Sequence, residues 1–207
     1  MKVCIQIIYT ANWLELAKAT VFNTVKYCIK NNYTWSIQTV KEPYDAFEKI
    51  RMAKSILVES EADVVWVLDC DTLITNHTIK VENFINDTDD IFLCKDYNGI
   101  NCGSFLIKKS DRCLKLLDFI YSHKGKPNMD CEQNVIEQLY LLQGNSICVL
   151  DHPSINSYLY ENYPEIPMQT HEQGQWEKGD LLLHLPGISI SKRTEIINKI
   201  KEDIIYE

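Results

Sequence analysis

Two carboxylates one residue apart, Asp69 and Asp71, form the arrangement in this 207-residue sequence with the clearest chemical potential. They follow the apolar, β-branched run Val64 to Leu68, which predicts a buried strand. Carboxylates at the end of such a strand repel each other and lose hydration unless a cation binds between them. Mg²⁺, and similarly Mn²⁺, takes one or two carboxylates plus phosphate oxygens in nucleotide sites. The pair predicts a divalent metal site, and the alternative is a turn in which both aspartates bond nearby backbone amides.

The first half of the sequence alternates strand patterns with helix patterns. The strand patterns cover residues 3–9, 35–40 and 64–68, and the helix patterns cover residues 14–30 and 44–59. This β-α-β-α-β order predicts an α/β fold with a mostly parallel central sheet and helices on both faces.

Polar residues stand directly after two of these predicted strands. Asp69 and Asp71 follow the third strand, and Thr10 and Asn12 follow the first. Ligands of open α/β sheets lie beyond the carboxyl ends of the strands. We therefore expect Thr10 and Asn12 to contact a nucleotide base or ribose.

The second half of the sequence has shorter strands and a long loop. Strands are predicted at 91–94, 104–107, 147–150 and 181–183, and helices at 111–122, 130–142 and 192–205. The Tyr-, Asn- and Pro-rich loop from Ser154 to Gly179 is long enough to be functional or mobile. We predict one domain over residues 1–207, in which residues 1–95 bind the nucleotide and residues 96–207 bind the donor sugar and the acceptor.

The charge balance narrows the possible ligands. Asp and Glu number 29 against 21 Lys and Arg, a net charge of -8, so nucleic acid is not expected as a partner. A diphosphate would need a divalent cation or a few placed basic residues. The eight dispersed cysteines without a C-x-x-C pair are typical of free thiols in a reducing compartment. No signal peptide or membrane-spanning run is recognisable, so we expect a cytoplasmic protein.

The segment around the aspartates resembles a known family. Trp66-Val67-Leu68-Asp69-Cys70-Asp71 is similar to the tryptophan and D-x-D signature of glycosyltransferases with the GT-A fold. From about residue 44 to residue 187 the chain resembles the alpha-galactosyltransferase and xyloglucan xylosyltransferase family and a related glycosyltransferase domain of chlorella viruses. The resemblance implies that Asp69 and Asp71 bind Mn²⁺ or Mg²⁺ and that Asp69 also contacts the donor.

The segment Asn101 to Ile107 resembles the N-x-G-S-F-L-I block of that family. The resemblance implies that Asn101, Gly103 and Ser104 face the donor sugar and diphosphate. Gly103 permits close backbone approach, and Asn101 offers both a donor and an acceptor to sugar hydroxyls. The alternative is a β-bulge or tight turn entering a strand.

Asp130-Cys131-Glu132-Gln133 is similar to an acidic-acidic-Gln motif at the start of a helix in the family, with Cys131 in place of a carboxylate. The resemblance implies that Glu132 and Gln133 contact the sugar near its anomeric carbon, and it leaves the sugar-contacting acid open between Asp130 and Glu132. For Asp130 the alternative is an acidic first turn that stabilises the helix dipole.

Leu183 to Gly187 resembles the H-x-x-G motif near the family's C-terminus. This implies that His184 completes the metal site and that Gly187 lies at the donor, and a purely structural histidine is the alternative.

Four basic residues are candidates for the diphosphate. Lys49 and Lys54 match basic positions of the family, and Lys192 and Arg193 follow the H-x-x-G motif. Solvated charges on helix faces are the alternative for each.

Together these motifs predict a metal-dependent glycosyltransferase with Mn²⁺ or Mg²⁺ as cofactor. It would move a sugar from a nucleotide-sugar, expected to be a UDP-sugar, to a glycan or other hydroxyl acceptor, and the resemblance implies retention of configuration. Two further interpretations of the chain are a viral protein of the host cytoplasm and one domain of a larger polypeptide. A nucleotidyltransferase and a non-catalytic nucleotide-sugar-binding module remain as alternatives.

Overall fold

The structure is a computed structural model that describes residues 1–142 and 146–207. Its strands and longer helices, in chain order, are β1 (Val3–Thr10), α1 (Leu14–Asn31), β2 (Thr34–Val40), α2 (Phe47–Glu59), β3 (Val64–Asp69), β4 (Thr72–Ile74), β5 (Ile91–Asp96), β6 (Gly99–Lys108), α3 (Asp111–Tyr121), α4 (Glu132–Leu141), β7 (Ile147–Leu150), β8 (Leu182–His184) and α5 (Ile190–Ile200).

The central sheet has six strands in the order β2-β1-β3-β6-β5-β7 across the described part of the chain. β1 pairs in parallel with β2 and β3, and β5 pairs in parallel with β7. β6 runs antiparallel to both of its neighbours, β3 and β5. The predicted mostly parallel sheet is therefore confirmed, and the carboxyl ends of β1 and β3 meet at one edge.

The sequence of β3 explains why helices cover both faces of the sheet. Val65 and Val67 pack in one core cluster with side chains of α2, α3 and α4. Val64, Trp66 and Leu68 pack in a second cluster that contains side chains of α1. Successive side chains of a strand point to opposite faces, so an apolar run of this kind is stable only between two layers.

β6 begins earlier than predicted, at Gly99 rather than Ser104, and it is irregular where it passes the end of β3. Its register with β5 shifts between the pairs Leu93–Phe105 and Cys94–Asn101. The segment 102–104 lies between those pairs and bulges. The β-bulge interpretation of this segment is confirmed, and bulges commonly redirect side chains next to a binding site.

A small second sheet brings the end of the chain to β3. β4 and β8 are antiparallel, with Thr72 opposite His184 and Ile74 opposite Leu182. Apolar residues of this sheet pack on Ile196 and Ile197 of α5. None of the helices in the described residues is both long and apolar enough to span a membrane.

Candidate active site

Asp69, Asp71 and His184 come together at the carboxyl end of β3. One potential ligand atom of each lies within 4.8 Å of the other two, and Asp71 Oδ1 is 3.5 Å from His184 Nε2. The turn that links β3 to β4 is held in place because Thr20 Oγ1 donates to Cys70 O at 2.8 Å. Two carboxylates and an imidazole are a donor set that suits Mn²⁺ and similar divalent ions.

Gly103 lies directly against the imidazole of His184. A Cβ at this position would be 2.1 Å from His184 Cε1 and 2.6 Å from Nε2. Gly103 N also donates to Asn101 Oδ1 at 2.8 Å, which fixes the bulge. The glycine is therefore required to let the histidine ring approach the aspartates.

Asp71 is already paired with a buried arginine. Arg193 Nη2 is 2.9 Å from Asp71 Oδ2, and both side chains are no more than 10% exposed. Arg193 Nε donates to Leu185 O at 2.7 Å, and the guanidinium carbon lies 4.6 Å from the centre of the Trp13 ring. Burial alone would raise the pKa of the Asp71 carboxyl, but His184 and Arg193 outweigh it and hold that pKa below its usual value.

Lys49 links the other aspartate to the start of α4. Its Nζ lies 2.8 Å from Asp69 Oδ1 and 2.9 Å from Glu132 Oε1, and it donates to Cys102 O at 3.0 Å. Burial would lower the pKa of Lys49, but the two carboxylates raise it well above its usual value, so the ammonium stays charged. Burial raises the pKa of Glu132, although Lys49 opposes this effect.

Two side chains connect α4 and the loop after β7 to the bulge. Gln133 Oε1 accepts from Cys102 N at 3.1 Å. Asn101 Nδ2 donates to Asp96 Oδ2 at 2.8 Å, and Asn101 Oδ1 accepts from Asn156 Nδ2 at 3.1 Å. These bonds hold the bulge in one conformation beside the three candidate ligands.

Two cavities flank this cluster. The first, the aspartate cleft, measures about 260 Å³ and is lined by Ile8, Tyr9, Thr10, Trp13, Tyr44, Asp69, Cys70 and Asp71. The second, the tyrosine cavity, measures about 300 Å³ and is lined by Asp96, Tyr97, Asn98, Asn101, Gln133, Tyr158, Tyr160, Tyr163, Glu165, Ile166, Pro186 and Gly187. Asp71 on one side and Asn101 on the other place the candidate metal site between them.

A family model described as the galactosyl transferase GMA12/MNN10 family matches residues 82–195, which is more than half of the 207 residues. The chain belongs to this family. Its membership confirms the resemblance inferred from the four motifs, at the level of the family.

Two fission-yeast proteins are similar in sequence. A probable alpha-1,2-galactosyltransferase, gmh1 of Schizosaccharomyces pombe, is 31% identical over 121 residues, covering 55% of this chain and 33% of that protein. An uncharacterised alpha-1,2-galactosyltransferase of the same species is 30% identical over 124 residues, covering 53% and 34%. The alignment thus spans about a third of the length of each relative.

Solved structures share the fold. A glycosyltransferase involved in glycosylation of the major capsid of PBCV-1 superposes with a TM-score of 0.75 at 17% identity, over 96% of this chain and 100% of that chain. The galactosyltransferase LgtC, in complex with donor and acceptor sugar analogs, gives a TM-score of 0.55 at 12% identity, over 97% and 99%. The predicted GT-A-type fold is confirmed for this member of the GMA12/MNN10 family.

The part matched to the GMA12/MNN10 family contains His184 and Arg193 but begins after Asp69 and Asp71. The fold joins the two parts through the pairing of β4 with β8. Of the donor residues predicted from the sequence, Thr10 and Asp69 line the aspartate cleft, and Asn101 and Gly187 line the tyrosine cavity. Gln133 lines the tyrosine cavity as well.

Four predicted residues are not brought to the cluster. Asn12 is exposed and donates to Glu42. Lys54 pairs with Asp118, and Lys192 pairs with Glu195 on the exposed side of α5. Asp130 is exposed, whereas Glu132 is buried against Lys49, so the structure brings Glu132 to the site and leaves Asp130 outside.

Ser104 lies in the protein interior rather than on the surface of a cavity. It is fully buried, its hydroxyl donates to Ile155 O at 2.6 Å and it accepts from Trp66 Nε1 at 3.0 Å. Sequence reasoning missed Trp13 and Tyr44, which line the aspartate cleft, and it did not choose Arg193 over Lys192. Arg193 shares the apolar face of α5 with Ile196 and Ile197, at helical spacing, and this signal would have identified it.

Proposed function

We propose that this chain is a metal-dependent glycosyltransferase that moves a sugar from a UDP-sugar to a hydroxyl of a glycan acceptor, with retention of configuration. The observation that carries the proposal is the convergence of Asp69, Asp71 and His184 within 4.8 Å. Family membership and the shared GT-A-type fold support the reaction class.

The residues at the cluster fit a divalent cation such as Mn²⁺. The set contains two carboxylates and one imidazole, and Gly103 keeps the space beside the imidazole free of a side chain. Asp69, Asp71 and His184 would hold the ion, with its remaining positions open to the diphosphate of the donor. When bound, such an ion stabilises the charge of a departing nucleoside diphosphate.

The aspartate cleft is the proposed place of the nucleotide. Its walls carry the aromatic rings of Tyr9, Trp13 and Tyr44, which offer faces for a base. Thr10 Oγ1 is buried in the same wall and has no hydrogen-bond partner among the described residues. A ribose or base oxygen would satisfy it, which agrees with a nucleotide-binding half within residues 1–95 and a sugar-binding half within residues 96–207.

The proposed transfer step is compatible with this placement. The acceptor oxygen bonds to the anomeric carbon while the bond from that carbon to the phosphate oxygen breaks, and the leaving phosphate takes the hydroxyl proton. Gln133 faces the tyrosine cavity and is the proposed sugar contact. Glu132 is 2% exposed behind Lys49, so it acts as a positioning residue that fixes the ammonium beside Asp69.

The test is donor hydrolysis without acceptor. The protein is incubated with Mn²⁺ and UDP-, GDP- or dTDP-sugars, and free sugar and nucleoside diphosphate are measured. We expect slow, Mn²⁺-dependent release of UDP. Calorimetry should show that Asp71→Ala weakens Mn²⁺-dependent UDP binding by at least about tenfold, whereas Asp87→Ala, at a fully exposed aspartate, should leave it unchanged.

The alternatives give different results. Unchanged UDP affinity in Asp71→Ala refutes the metal assignment, and binding without turnover indicates a non-catalytic module. A nucleotidyltransferase would convert the UDP-sugar and added pyrophosphate into UTP and a sugar 1-phosphate. The segment from Tyr9 to Asn12, at the carboxyl end of β1, contains no glycine, which argues against a glycine-rich phosphate loop of the nucleotidyltransferase kind.

A further inference from the structure

The tyrosine cavity has an aromatic wall made by the loop after β7. Tyr158, Tyr160 and Tyr163 stand side by side, with ring centroids 5.5 Å and 6.4 Å apart for the two successive pairs. Tyr97, which is 56% exposed, lies at the rim. Tyrosines in a concave site offer a broad apolar face together with a hydroxyl, and the C–H face of a sugar ring packs on such a surface.

The charged side chains that line this cavity are acidic. Asp96 and Glu165 are its ionisable carboxylates, and no lysine, arginine or histidine lines it among the described residues. Carboxylates only accept hydrogen bonds, so they suit the hydroxyl donors of a sugar. A ligand carboxylate or phosphate would instead meet like charge without a compensating cation.

A buried polar atom in the wall has no partner. Tyr158 lines the cavity at 2% exposure, and its hydroxyl forms no hydrogen bond with the described residues. A buried hydroxyl without a hydrogen-bond partner is destabilising because it has lost its hydration. A ligand hydroxyl in the cavity would satisfy it.

The cavity is continuous with the donor side of the site. Asn101, Gln133 and Gly187 line it on the side of the metal cluster, and Asn101 is bonded to Gly103, which lies against His184. Tyr158 also borders the cluster, since its ring centroid is 5.6 Å from that of His184, and Tyr160, Tyr163 and Glu165 continue the lining of the cavity. A sugar held there would present its hydroxyl toward the donor sugar.

We propose that the tyrosine cavity is the acceptor subsite and that it selects an uncharged sugar over a uronate or a phosphorylated sugar. The inference rests on the proposed glycosyltransferase function and adds the class of acceptor to it.

The experiment compares methyl glycosides that differ mainly in charge. The pairs are galactoside with galacturonide, glucoside with glucuronide, and mannoside with mannoside 6-phosphate. Binding is followed by saturation-transfer NMR in the presence of UDP and Mn²⁺, and transfer is followed with the donor that is hydrolysed. For at least one pair we expect the neutral member to bind and to give a kcat/KM at least tenfold higher than its anionic partner.

Glu165→Gln tests the source of this selectivity. The change keeps the shape of the side chain and removes its charge, so it should reduce the neutral-to-anionic ratio by about threefold or more. Glu161→Gln is the matched control, since Glu161 is an exposed acid of the same loop that does not line the cavity. It should leave the ratio unchanged. Tyr97→Leu should raise KM for the neutral glycoside by about three- to tenfold because it removes an aromatic face.

The outcomes separate the inference from the function. Donor hydrolysis with equal or better use of the anionic members overturns the inference and leaves the proposed function standing, as does the absence of any neutral glycoside binding. A ratio that Glu165→Gln does not change also overturns it. Absence of metal-dependent hydrolysis for every donor overturns both.

Discussion

The contact between Gly103 and His184 allows a direct test of the proposed metal site. In Gly103→Ala the new Cβ would lie 2.1 Å from His184 Cε1, whereas ordinary contacts begin at 3.4 Å. The ring must therefore retreat by about 1.3 Å or the bulge must open by a similar amount. Metal–ligand distances tolerate only about 0.2 Å. The substitution should consequently remove His184 from the set of ligands.

Two magnitudes follow for Gly103→Ala. Overpacking of this buried contact should lower the free energy of unfolding by about 1–3 kcal/mol. Displacement of the imidazole should weaken Mn²⁺-dependent UDP binding by about 10–100-fold, the range found when ligand orientation is lost. Chemical denaturation measures the first quantity, and calorimetry at a temperature where the variant is folded measures the second.

A double-mutant cycle shows whether the effect passes through the histidine. In the His184→Ala background the added methyl group meets no ring, so Gly103→Ala should then change UDP affinity by less than about twofold. If Gly103→Ala lowers stability but leaves UDP affinity intact, or if its effect persists without the imidazole, the proposed role of the glycine is refuted.

Three further predictions concern buried ionisable side chains. Arg193→Met leaves Asp71 without its buried cation, so the metal-free variant should be less stable than the wild type by about 3–5 kcal/mol. Mn²⁺ should then raise the Tm of the variant more than the Tm of the wild type. Equal increases in Tm would contradict this prediction. Lys49→Met should weaken donor binding and lower the free energy of unfolding, because Asp69 and Glu132 lose the ammonium between them. Adding Glu132→Gln to this variant should recover part of the stability, since it removes one of the two carboxylates. No recovery in the double variant would contradict the proposed ion pair between Lys49 and Glu132. Burial lowers the pKa of His77 to about 4, so the unfolded chain binds the proton more tightly than the folded chain does. The contribution of neutral His77 to the free energy of unfolding is therefore fully present above pH 6.5 and should fall by on the order of 3 kcal/mol as the pH drops to 4. His77→Phe should flatten this part of the pH–stability curve.

The sequence was sufficient to predict the edge of the sheet that carries the site. Val64 to Leu68 is apolar at every position, so a strand buried on both faces was the expected structure, and Asp69 had to follow at its carboxyl end. The same pattern predicted α1 and α2 to within a few residues. These inferences succeed because the hydrophobic pattern that defines a strand or a helix lies within a short stretch of sequence.

The partners of the aspartates were harder to predict because they depend on long-range pairing. β4 is only three residues long, and its composition does not predict that it pairs with β8, the strand that ends at His184. The choice between Lys192 and Arg193 depends on helix phase, since adjacent residues point about 100° apart. Lys192 and Arg193 were both candidates because they follow the H-x-x-G motif. Only the packing of α5 on the small sheet determines that Arg193 reaches Asp71.

The pairing of β4 with β8 also sets a constraint on the order of assembly. Asp69 and Asp71 emerge from the ribosome in the first half of the chain, and β1, β2 and β3 have one another as partners from that point. His184 and Arg193 are synthesised only after all six strands of the central sheet, in the segment from β8 to α5. Until that segment docks, the two carboxylates lack both the proposed third ligand, His184, and the cation Arg193. On the proposed assignment, metal binding requires the segment from β8 to α5 to be docked, and loss of the pairing between β4 and β8 would separate the candidate ligands even if the central sheet stayed folded.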